Sequence, residues 1–571
     1  MAKRKITNGA DVLVSALEEL GVRCVFGLPG TQNVALFESL RSSRIRVVLT
    51  TSETTAGFMA NGWFRASGQP SVFVGIAGPG FAWAIPPLAE AALDSAAVIL
   101  ITPKPLDRGF KYDLQTLAQE DIATSLGCVV RSITDPGTLR TEVFDAWSAA
   151  STGGPRPVVI HVDSEVLDLD DFNAQSGTQG VAQPVEISVP DDLIARLVQA
   201  ERPVIMAGAG TLPCPELVTQ LIDLTGAVII TTPTARGVVR EDHPLCLRLD
   251  LMRDRVDILN DFLESADLVI SLGCRFSHNG TGGYKLKIAE QKLAHVDLDD
   301  SVIGENYPAR WAIRADAKGF LEHLLRVVSA SSPTQSSSRQ VGAVNSFRDQ
   351  QQAVRKPIPG EPVWMGLGNC KTLFSRIREG LDDNAILVTD TGLHQILTRT
   401  YFDVLSPRGL IVPTDFQSMG FGLPAAIGAA LAVTDRPVTA LIGDGGLLMV
   451  GGELATASRE SIPLPVLVFR DGFLGQIRLQ QLTNYGVESA TELQAYDLQA
   501  FCESLGAKHV LAGANLADQM RMARERAGPT VIEVQLADGD ELDNISRRVR
   551  RKMSIKSAIG PGIVRLVRRL R

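Results

Sequence analysis

GDGGLLMVGGELATASRESIPLPVLVFRDGFLGQIRLQQ, residues 443–481, is the stretch that decides the fold. Apolar runs at 438–442 and 465–469 predict buried parallel strands, joined by an amphipathic helix. Asp444 and Asp471 follow these two strands and would meet at one edge of the sheet. Carboxylates are the hard oxygen ligands that hold Mg²⁺, which keeps substrate phosphate in its shell. A helix that begins just after Gly445 would add amide donors for a diphosphate.

An aspartate in a glycine turn is by itself usually only a turn. The whole strand–GDG–helix–strand arrangement, however, resembles the thiamine diphosphate (ThDP) motif of the acetolactate synthase-like enzymes, which ends in Asn-Asn. This chain has Arg470-Asp471 at that place. The resemblance implies that Asp444, Asp471 and Phe473 hold Mg²⁺. Because Asp471 adds a negative charge beside a diphosphate, we expect it to weaken binding unless another group offsets it.

Composition excludes several classes of protein. A net charge of −8 argues against nucleic acid as the main partner, and no apolar run is long enough to span a membrane. The N-terminus has no apolar stretch typical of a secretory signal. Seven scattered cysteines without a CxxC pair indicate reduced thiols in a cytoplasmic protein. Seven histidines show no metal-ligand spacing, and His161 in VVIHVD is interpreted as a strand residue in a core.

Apolar strands alternate with helical patterns along the chain, which predicts an α/β protein with three consecutive parallel-sheet domains. Polar, proline-containing stretches at 168–190 and 329–362 are predicted to be linkers. They give domains at 1–170, 190–328 and 360–545, followed by a basic tail at 546–571. Gly208-Ala209-Gly210, in the second domain, is interpreted as a tight turn of a Rossmann-like sheet.

The resemblance extends over nearly the whole chain. It implies an N-terminal pyrimidine-binding domain, a central Rossmann-like domain and a C-terminal diphosphate-binding domain. In that family the cofactor lies between the first domain of one subunit and the last domain of another. A homodimer or homotetramer is therefore expected.

Glu53 follows a predicted strand at 47–49 and begins a helix, TTAGFMANGWFRASG. On the residues alone, the favoured interpretation is a helix-capping acid stabilised by the helix dipole. Members of the family read His-Glu where this chain has Ser52-Glu53. The resemblance implies that Glu53 is the catalytic glutamate, which hydrogen-bonds the aminopyrimidine ring of ThDP.

Further motifs in the first domain match the same family. Gly78-Pro79-Gly80 matches the turn that lines the site, although Phe81-Ala82 replace the usual Thr-Asn. Gln119-Glu120 resembles the family's Phe-Gln-Glu, which implies that Gln119 donates a hydrogen bond near the reacting carbon. The alternative for Gln119 is a surface helix residue.

In the third domain, Thr389 to Gln395 resembles a DxGxHQ pattern that approaches the diphosphate, and residues 419–426 read MGFGLPAA. Met419 corresponds to the apolar residue that bends ThDP, and its alternative is core filler. The cofactor contacts that the resemblance implies are Pro29, Gly30, Glu53, Gly78, Gly80, Thr391, Gly392, His394, Gln395, Met419, Gly443, Asp444, Gly445, Gly446, Asp471, Phe473, Leu474 and Gly475.

The resemblance implies a ThDP- and Mg²⁺-dependent carboligase that decarboxylates a pyruvate-like 2-oxo acid and transfers the acyl unit to a carbonyl acceptor. Gln476 and Gln480, at positions that shape the acceptor pocket, suggest a polar acceptor or none, and Arg478 is either an anion ligand or a solvated residue. The alternatives are a decarboxylase or acyltransferase, and a non-catalytic relative.

FAD in the middle domain is a further alternative, since GxRF is matched by 273–276 but the family's GMHG loop is not. The basic amphipathic tail would pack on its domain, cover the site, clamp an anionic substrate or contact a membrane surface.

Overall fold

The computed structural model describes residues 7–104, 111–169, 188–249, 256–331, 337–354 and 362–537. The predicted basic tail at 546–571 lies outside them. Three six-stranded parallel sheets follow one another along the chain, which confirms the predicted α/β class. None of the helices in the described ranges is both long and apolar enough to cross a membrane.

The first sheet has the order β2-β1-β3-β4-β6-β5, and its four central strands are buried because helices cover both faces. Its strands are β1 (Cys24–Gly27), β2 (Arg46–Leu49), β3 (Ser71–Val74), β4 (Val98–Pro103), β5 (Val129–Ile133) and β6 (Val158–Val162). Its helices are α1 (Gly9–Glu19), α2 (Val34–Arg41), α3 (Glu53–Ser67), α4 (Pro79–Asp94), α5 (Gln119–Ser125), α6 (Leu139–Ser151) and α7 (Ser164–Asp168).

The middle sheet has the order β12-β11-β10-β7-β8-β9. All of its strands are parallel, and the order in which the chain adds them reverses between β7 and β10, as in a Rossmann-like sheet. Its strands are β7 (Pro203–Ala207), β8 (Val228–Thr231), β9 (Cys246–Leu247), β10 (Leu268–Leu272), β11 (Leu293–Asp297) and β12 (Trp311–Arg314). Its helices are α8 (Asp191–Gln199), α9 (Pro215–Thr225), α10 (Val256–Ser265), α11 (Ala317–Ser331) and α12 (Ser337–Val354).

Helix α12 occupies most of the stretch that composition predicted to be a linker. Its Phe347 ring packs edge-on against Phe262 of α10 at 5.5 Å, and Val344 is buried beside it. Arg348 donates to the Cys246 carbonyl at 2.7 Å. A few apolar residues at helical spacing are enough to dock an otherwise polar segment.

The third sheet has the order β16-β15-β17-β18-β20-β19, which repeats the strand order of the first sheet. Its domain has the strands β13 (Val363–Trp364), β14 (Gly368–Asn369), β15 (Ile386–Thr389), β16 (Leu410–Ile411), β17 (Val438–Gly443), β18 (Pro465–Arg470), β19 (Lys508–Leu511) and β20 (Thr530–Gln535), of which β13 and β14 form a separate antiparallel pair. Its helices are α13 (Cys370–Glu379), α14 (Leu393–Tyr401), α15 (Gly422–Ala432), α16 (Asp444–Val450), α17 (Glu453–Arg459), α18 (Gly475–Tyr485), α19 (Leu498–Ser504) and α20 (Leu516–Glu525).

The first and third domains share one apolar core, in which α3 lies against α15. A Cβ added to Gly62 would lie 2.0 Å from the Ala425 carbonyl oxygen, and one added to Gly428 would lie 1.9 Å from the Met59 carbonyl oxygen. Only glycine allows backbones to approach this closely. Since Gly62 faces Ala425 and Met59 faces Gly428, the two helices run antiparallel.

Candidate active site

In the third domain, the strand ends on both sides of a topological switch point meet at one crevice. β15 and β17 are neighbours in the sheet but lead to strands on opposite sides, and ligands bind at such points beyond the carboxyl ends of the strands. The crevice is lined by twelve of the predicted residues: Thr391, Gly392, His394, Met419, Gly443, Asp444, Gly445, Gly446, Asp471, Phe473, Leu474 and Gly475. Trp364, Gln476 and Ile477 also line it.

Asp444 and Asp471 form a carboxylate pair at the bottom of this crevice. Asp444 accepts hydrogen bonds from the Gly445 amide at 2.9 Å and from the Gly472 amide at 2.8 Å, and Asp471 accepts one from the Phe473 amide at 3.0 Å. Burial raises the pKa of Asp444. Burial, and then the negative charge of Asp444, raise the pKa of Asp471 to about 7. Two buried carboxylates that disfavour each other's charge are suited to a cation between them.

The protein side chains alone do not complete a metal site. Within the described residues, no group of three or more His, Cys, Asp or Glu side chains could hold a metal ion. Two carboxylates with open space beside them match Mg²⁺, which takes only one or two protein carboxylates when phosphate oxygens share its shell.

The wall of the crevice carries two polar groups that could donate to an anion. Thr391 Oγ1 and His394 Nε2 are buried, and neither has a hydrogen-bond partner among the described residues. Burial lowers the pKa of His394 to about 4, so its ring is neutral and can donate one hydrogen bond. A Cβ on Gly392 or Gly443 would lie 2.8 Å or 3.2 Å from the His394 ring, so glycine leaves this edge open.

Asp390 is a site residue that the sequence interpretation did not single out. It is fully buried at the end of β15, and burial raises its pKa to about 7. It accepts from the Thr391 amide at 2.7 Å and from the Gly420 amide at 3.0 Å. Asp390 therefore ties the end of β15 to the turn that carries Met419. The available signals were its place directly after an apolar strand and at the first position of the DxGxHQ-like pattern.

In the first domain, Glu53 lies at the equivalent edge of the first sheet. It begins α3, and Ser52 caps the helix by accepting from the Thr55 amide at 3.2 Å. A Cβ added to Gly80 would lie 2.5 Å from Glu53 Oε1, so the turn at Gly78–Gly80 lies directly against the carboxyl group. Gly78 has a φ of +65°, which favours glycine.

Pro29 and Gly30 lie in the turn that follows β1 at this same edge. A Cβ on Gly30 would lie 2.5 Å from the Ile76 side chain, which follows β3. The predicted residues Pro29, Gly30, Glu53, Gly78 and Gly80 are thus brought together at the β1–β3 switch point.

Gln119 and Gln395 use their amide groups inside the protein. Gln119 is 2% exposed and Gln395 is 2% exposed. Gln119 accepts from the Gly78 amide at 2.6 Å, and Gln395 donates to the Pro413 carbonyl at 2.6 Å. In this chain both residues position neighbouring turns, and neither amide is directed to the crevice of the third domain.

The residues that depart from the family pattern fall in different environments. Gln476 lines the crevice, whereas Gln480 is exposed. Arg478 forms an ion pair with Glu488, and its guanidinium lies 3.6 Å from the centre of the Phe473 ring. Phe81 is fully buried in the first domain, so it packs inward instead of forming a wall of the site.

Within one chain, the Glu53 edge and the diphosphate crevice are separate. All described residues that line the crevice belong to 364–477. α3 and α15 begin at the carboxyl edges of their sheets and run antiparallel, so their N-termini lie at opposite ends of the contact. Glu53, six residues before Met59, is level with a position past the C-terminal end of α15 at Ala432, whereas Met419–Gly420 precede its N-terminal end. The two edges are therefore at least the length of α15 apart, roughly 16 Å at 1.5 Å per helical residue.

Three family models together match most of the chain. They are described as the thiamine pyrophosphate enzyme N-terminal TPP binding domain (residues 7–122), central domain (191–324) and C-terminal TPP binding domain (390–534).

Curated relatives match over nearly the full length. The chain is 31% identical over 554 residues to the acetolactate synthase isozyme 1 large subunit of Escherichia coli, covering 94% of this chain and 95% of that protein. It is 29% identical over 585 residues to a probable acetolactate synthase large subunit of Methanocaldococcus jannaschii, covering 96% and 97%. It is also 31% identical over 488 residues to the probable 2-ketoarginine decarboxylase AruI of Pseudomonas aeruginosa, covering 84% of each chain.

Proposed function

Because this chain belongs to the acetolactate synthase-like family of thiamine pyrophosphate enzymes, we propose that it decarboxylates a pyruvate-like 2-oxo acid and transfers the acyl unit to a carbonyl acceptor. The resemblance seen in the sequence is confirmed, and the chain is a ThDP-dependent enzyme. The observation that carries the proposal is the Asp444–Asp471 pair at the bottom of a glycine-walled crevice. ThDP, when bound, supplies the electron sink that makes decarboxylation accessible.

We propose that the third domain holds the diphosphate end of the cofactor. Asp444 and Asp471 would bind Mg²⁺ together with Phe473, and His394 and Thr391 would donate to diphosphate oxygens. The N-terminus of α16, which starts at Asp444, adds amide donors. Met419 would contact the cofactor from the turn that Asp390 fixes by accepting a hydrogen bond from the Gly420 amide.

We propose that Glu53 performs the proton chemistry. Its carboxyl group is half-buried against Gly75 and Gly80, where it would hydrogen-bond the aminopyrimidine ring and hold a proton on it. Exclusion of water from the exposed part of this carboxyl group would strengthen that hydrogen bond. The protein would thus supply the orientation of the reacting groups.

The separation of the two half-sites supports a homodimer in which Glu53 of one subunit serves the crevice of the other. Mixing two inactive variants tests this arrangement. Glu53→Gln and Asp444→Ala chains, unfolded and refolded together, should regain about a quarter of wild-type activity, because half of the dimers form by random pairing with one intact site each. If each site were complete within one chain, the mixture would stay inactive.

The function itself is tested by carbon dioxide release from pyruvate with purified protein, ThDP and Mg²⁺. Wild type should release carbon dioxide, and Glu53→Gln should lose at least about a hundredfold, the usual contribution of a positioned acid–base group. The variant should still bind ThDP in calorimetry, because the crevice is unchanged. Release that is equal in both proteins would refute the role of Glu53, and absence of ThDP binding by wild type would refute the proposal.

A decarboxylase that releases its product without a carboligation step is the second candidate. The likeness to a probable 2-ketoarginine decarboxylase and the polar Gln476 in the crevice favour it. Product analysis with and without an added aldehyde or 2-oxo acid acceptor separates the two. A condensation product supports the carboligase, and a free aldehyde in both reactions supports the decarboxylase.

A second question is whether the middle domain also binds FAD. A crevice lies beyond β7 and β10, where Gly208, Ala209 and Gly273 line it. Asn279 crosses it by donating to the Thr414 carbonyl at 2.6 Å, so a dinucleotide would have to displace this contact. The visible absorbance of oxidised flavin in the purified protein decides the question.

A further inference from the structure

Gln119 sits at the centre of a buried hydrogen-bond chain in the first domain. Its Oε1 accepts from the Gly78 amide at 2.6 Å. Its Nε2 lies 3.3 Å from the Pro103 carbonyl oxygen and 3.1 Å from His161 Nδ1. All of these groups are buried, so a missing partner would not be replaced by bulk water.

The chemistry of these partners fixes the protonation state of His161. A backbone amide can only donate, so the atom of Gln119 that faces Gly78 must be the oxygen. The other end is then the NH₂ group, and His161 Nδ1 must accept from it. A charged imidazolium would place two donors against each other. His161 is therefore neutral and carries its proton on Nε2.

This chain of contacts leads to the catalytic carboxyl group. Gly78 starts the turn into α4, and the same turn presents Gly80 to Glu53, with a Cβ on Gly80 only 2.5 Å from Glu53 Oε1. A shift of the turn would therefore change the packing around the Glu53 carboxyl group.

We propose that His161 is a positioning residue for Glu53, acting through Gln119 and the Gly78–Gly80 turn. The assignment of catalysis to Glu53 rests on the proposed function, whereas the hydrogen-bond chain does not. His161 lies in β6 with 0% exposure, and its sequence context had indicated only a core residue.

The surroundings of His161 keep it neutral at ordinary pH. Burial lowers its pKa to about 4, with a smaller opposing effect of Glu120 and a further lowering by Lys104. The Phe81 ring packs 5.9 Å from the imidazole, and His161 pairs with Thr102 of β4 and Ser132 of β5 in the sheet. Protonation on the acid side would remove the acceptor for Gln119 and loosen the turn.

Two substitutions separate positioning from packing. His161→Asn places an amide oxygen close to the position of Nδ1 and keeps an acceptor that does not titrate. His161→Leu keeps apolar volume but removes the acceptor. His295, a buried histidine of β11 in the middle sheet, provides the matched controls His295→Asn and His295→Leu.

The readouts are hydrogen–deuterium exchange of residues 76–83 and steady-state kinetics across pH, on the full-length protein. We expect His161→Leu to exchange at least about tenfold faster at 76–83, the effect of one lost buried hydrogen bond. Its kcat should fall by a similar factor with KM little changed. His161→Asn should restore slow exchange and extend activity to lower pH than wild type. The His295 variants should leave exchange at 76–83 unchanged.

Each outcome of these experiments supports or overturns the proposed role of His161. Equal exchange at 76–83 in wild type and His161→Leu would overturn the proposal, as would an Asn variant as impaired as the Leu variant. Faster exchange without any ThDP-dependent turnover by wild type would keep the hydrogen-bond chain and refute the proposed function instead. Turnover and a pH profile that are unaffected by His161→Leu would overturn the link to Glu53.

Discussion

Glu90 holds the first domain to the turn that carries Met419, and its substitution by glutamine should change how stability depends on pH. Glu90 lies in α4 with 0% exposure and accepts from the Ser418 amide at 2.9 Å through Oε2. Burial, and then the negative charge of Asp94 one helical turn away, raise the pKa of Glu90 from 4.5 to about 8.

The direction in which stability changes with pH follows from proton binding by the folded and unfolded states. Between about pH 4.5 and pH 8 the folded state holds a proton on Glu90 that the unfolded state has lost, so stability falls as pH rises across this window. At about 1.36 kcal/mol per pH unit, with the slope flattening as the pH reaches 8, a rise from pH 6 to pH 8 costs the wild type about 2 kcal/mol. Glu90→Gln stays neutral and can still accept from Ser418, so it lacks this slope. Between pH 6 and pH 8 the variant should therefore gain about 2 kcal/mol of stability relative to wild type.

Urea unfolding of both proteins at pH 6 and pH 8, without cofactor, measures the difference. Glu525→Gln, at an exposed position of α20, is the matched control for loss of a carboxylate. Its difference from wild type should not change with pH. If the free energy of unfolding changes equally between the two pH values in Glu90→Gln and in wild type, Glu90 is charged or hydrated in the folded protein and the reasoning fails.

Two further predictions concern the domain contact and the cation. Gly428→Ala would place a methyl group 1.9 Å from the Met59 carbonyl oxygen, and it should lower the free energy of unfolding by about 1–3 kcal/mol, as measured by thermal unfolding. The control is Gly342→Ala in α12, where an added methyl group meets no atom within 4 Å and should not destabilise the protein. Asp471→Asn removes one charge beside the diphosphate and should bind ThDP at least as tightly at saturating Mg²⁺ in calorimetry; weaker binding would show that the cation needs the second carboxylate.

The sequence predicted the crevice of the third domain better than any other feature. Its residues follow strand ends, where glycine turns and hydrophobic periodicity locate the carboxyl edge of a parallel sheet. Twelve of the predicted contacts line one crevice for this reason. The residues of the first-domain edge were predicted on the same basis, because Glu53 and the Gly78–Gly80 turn also follow strands.

Side-chain direction could not be predicted in the same way. Gln119 and Gln395 lie at the expected edges, but an amide turns toward the nearest unmatched backbone group, and those groups come from distant parts of the chain: Gly78 and Pro413. His161 and Glu90 were beyond sequence reasoning as well, since an isolated polar residue in an apolar stretch does not reveal its partner. Docking of α12 depended on contacts with α10 that composition does not show.

The charges around the crevice bear on the proposed cation. Asp471 stands where the family motif that the sequence resembles carries Asn, so the crevice has one more negative charge to balance. Arg470 lowers the pKa of Asp444 only as a minor influence, because its guanidinium is bound to Glu533 at 2.8 Å. Arg478 is likewise engaged by Glu488. With both nearby arginines paired to carboxylates of their own, a divalent ion is the proposed means of holding two carboxylates and a diphosphate together. ThDP affinity should therefore depend on Mg²⁺ more steeply in this protein than in its Asp471→Asn variant.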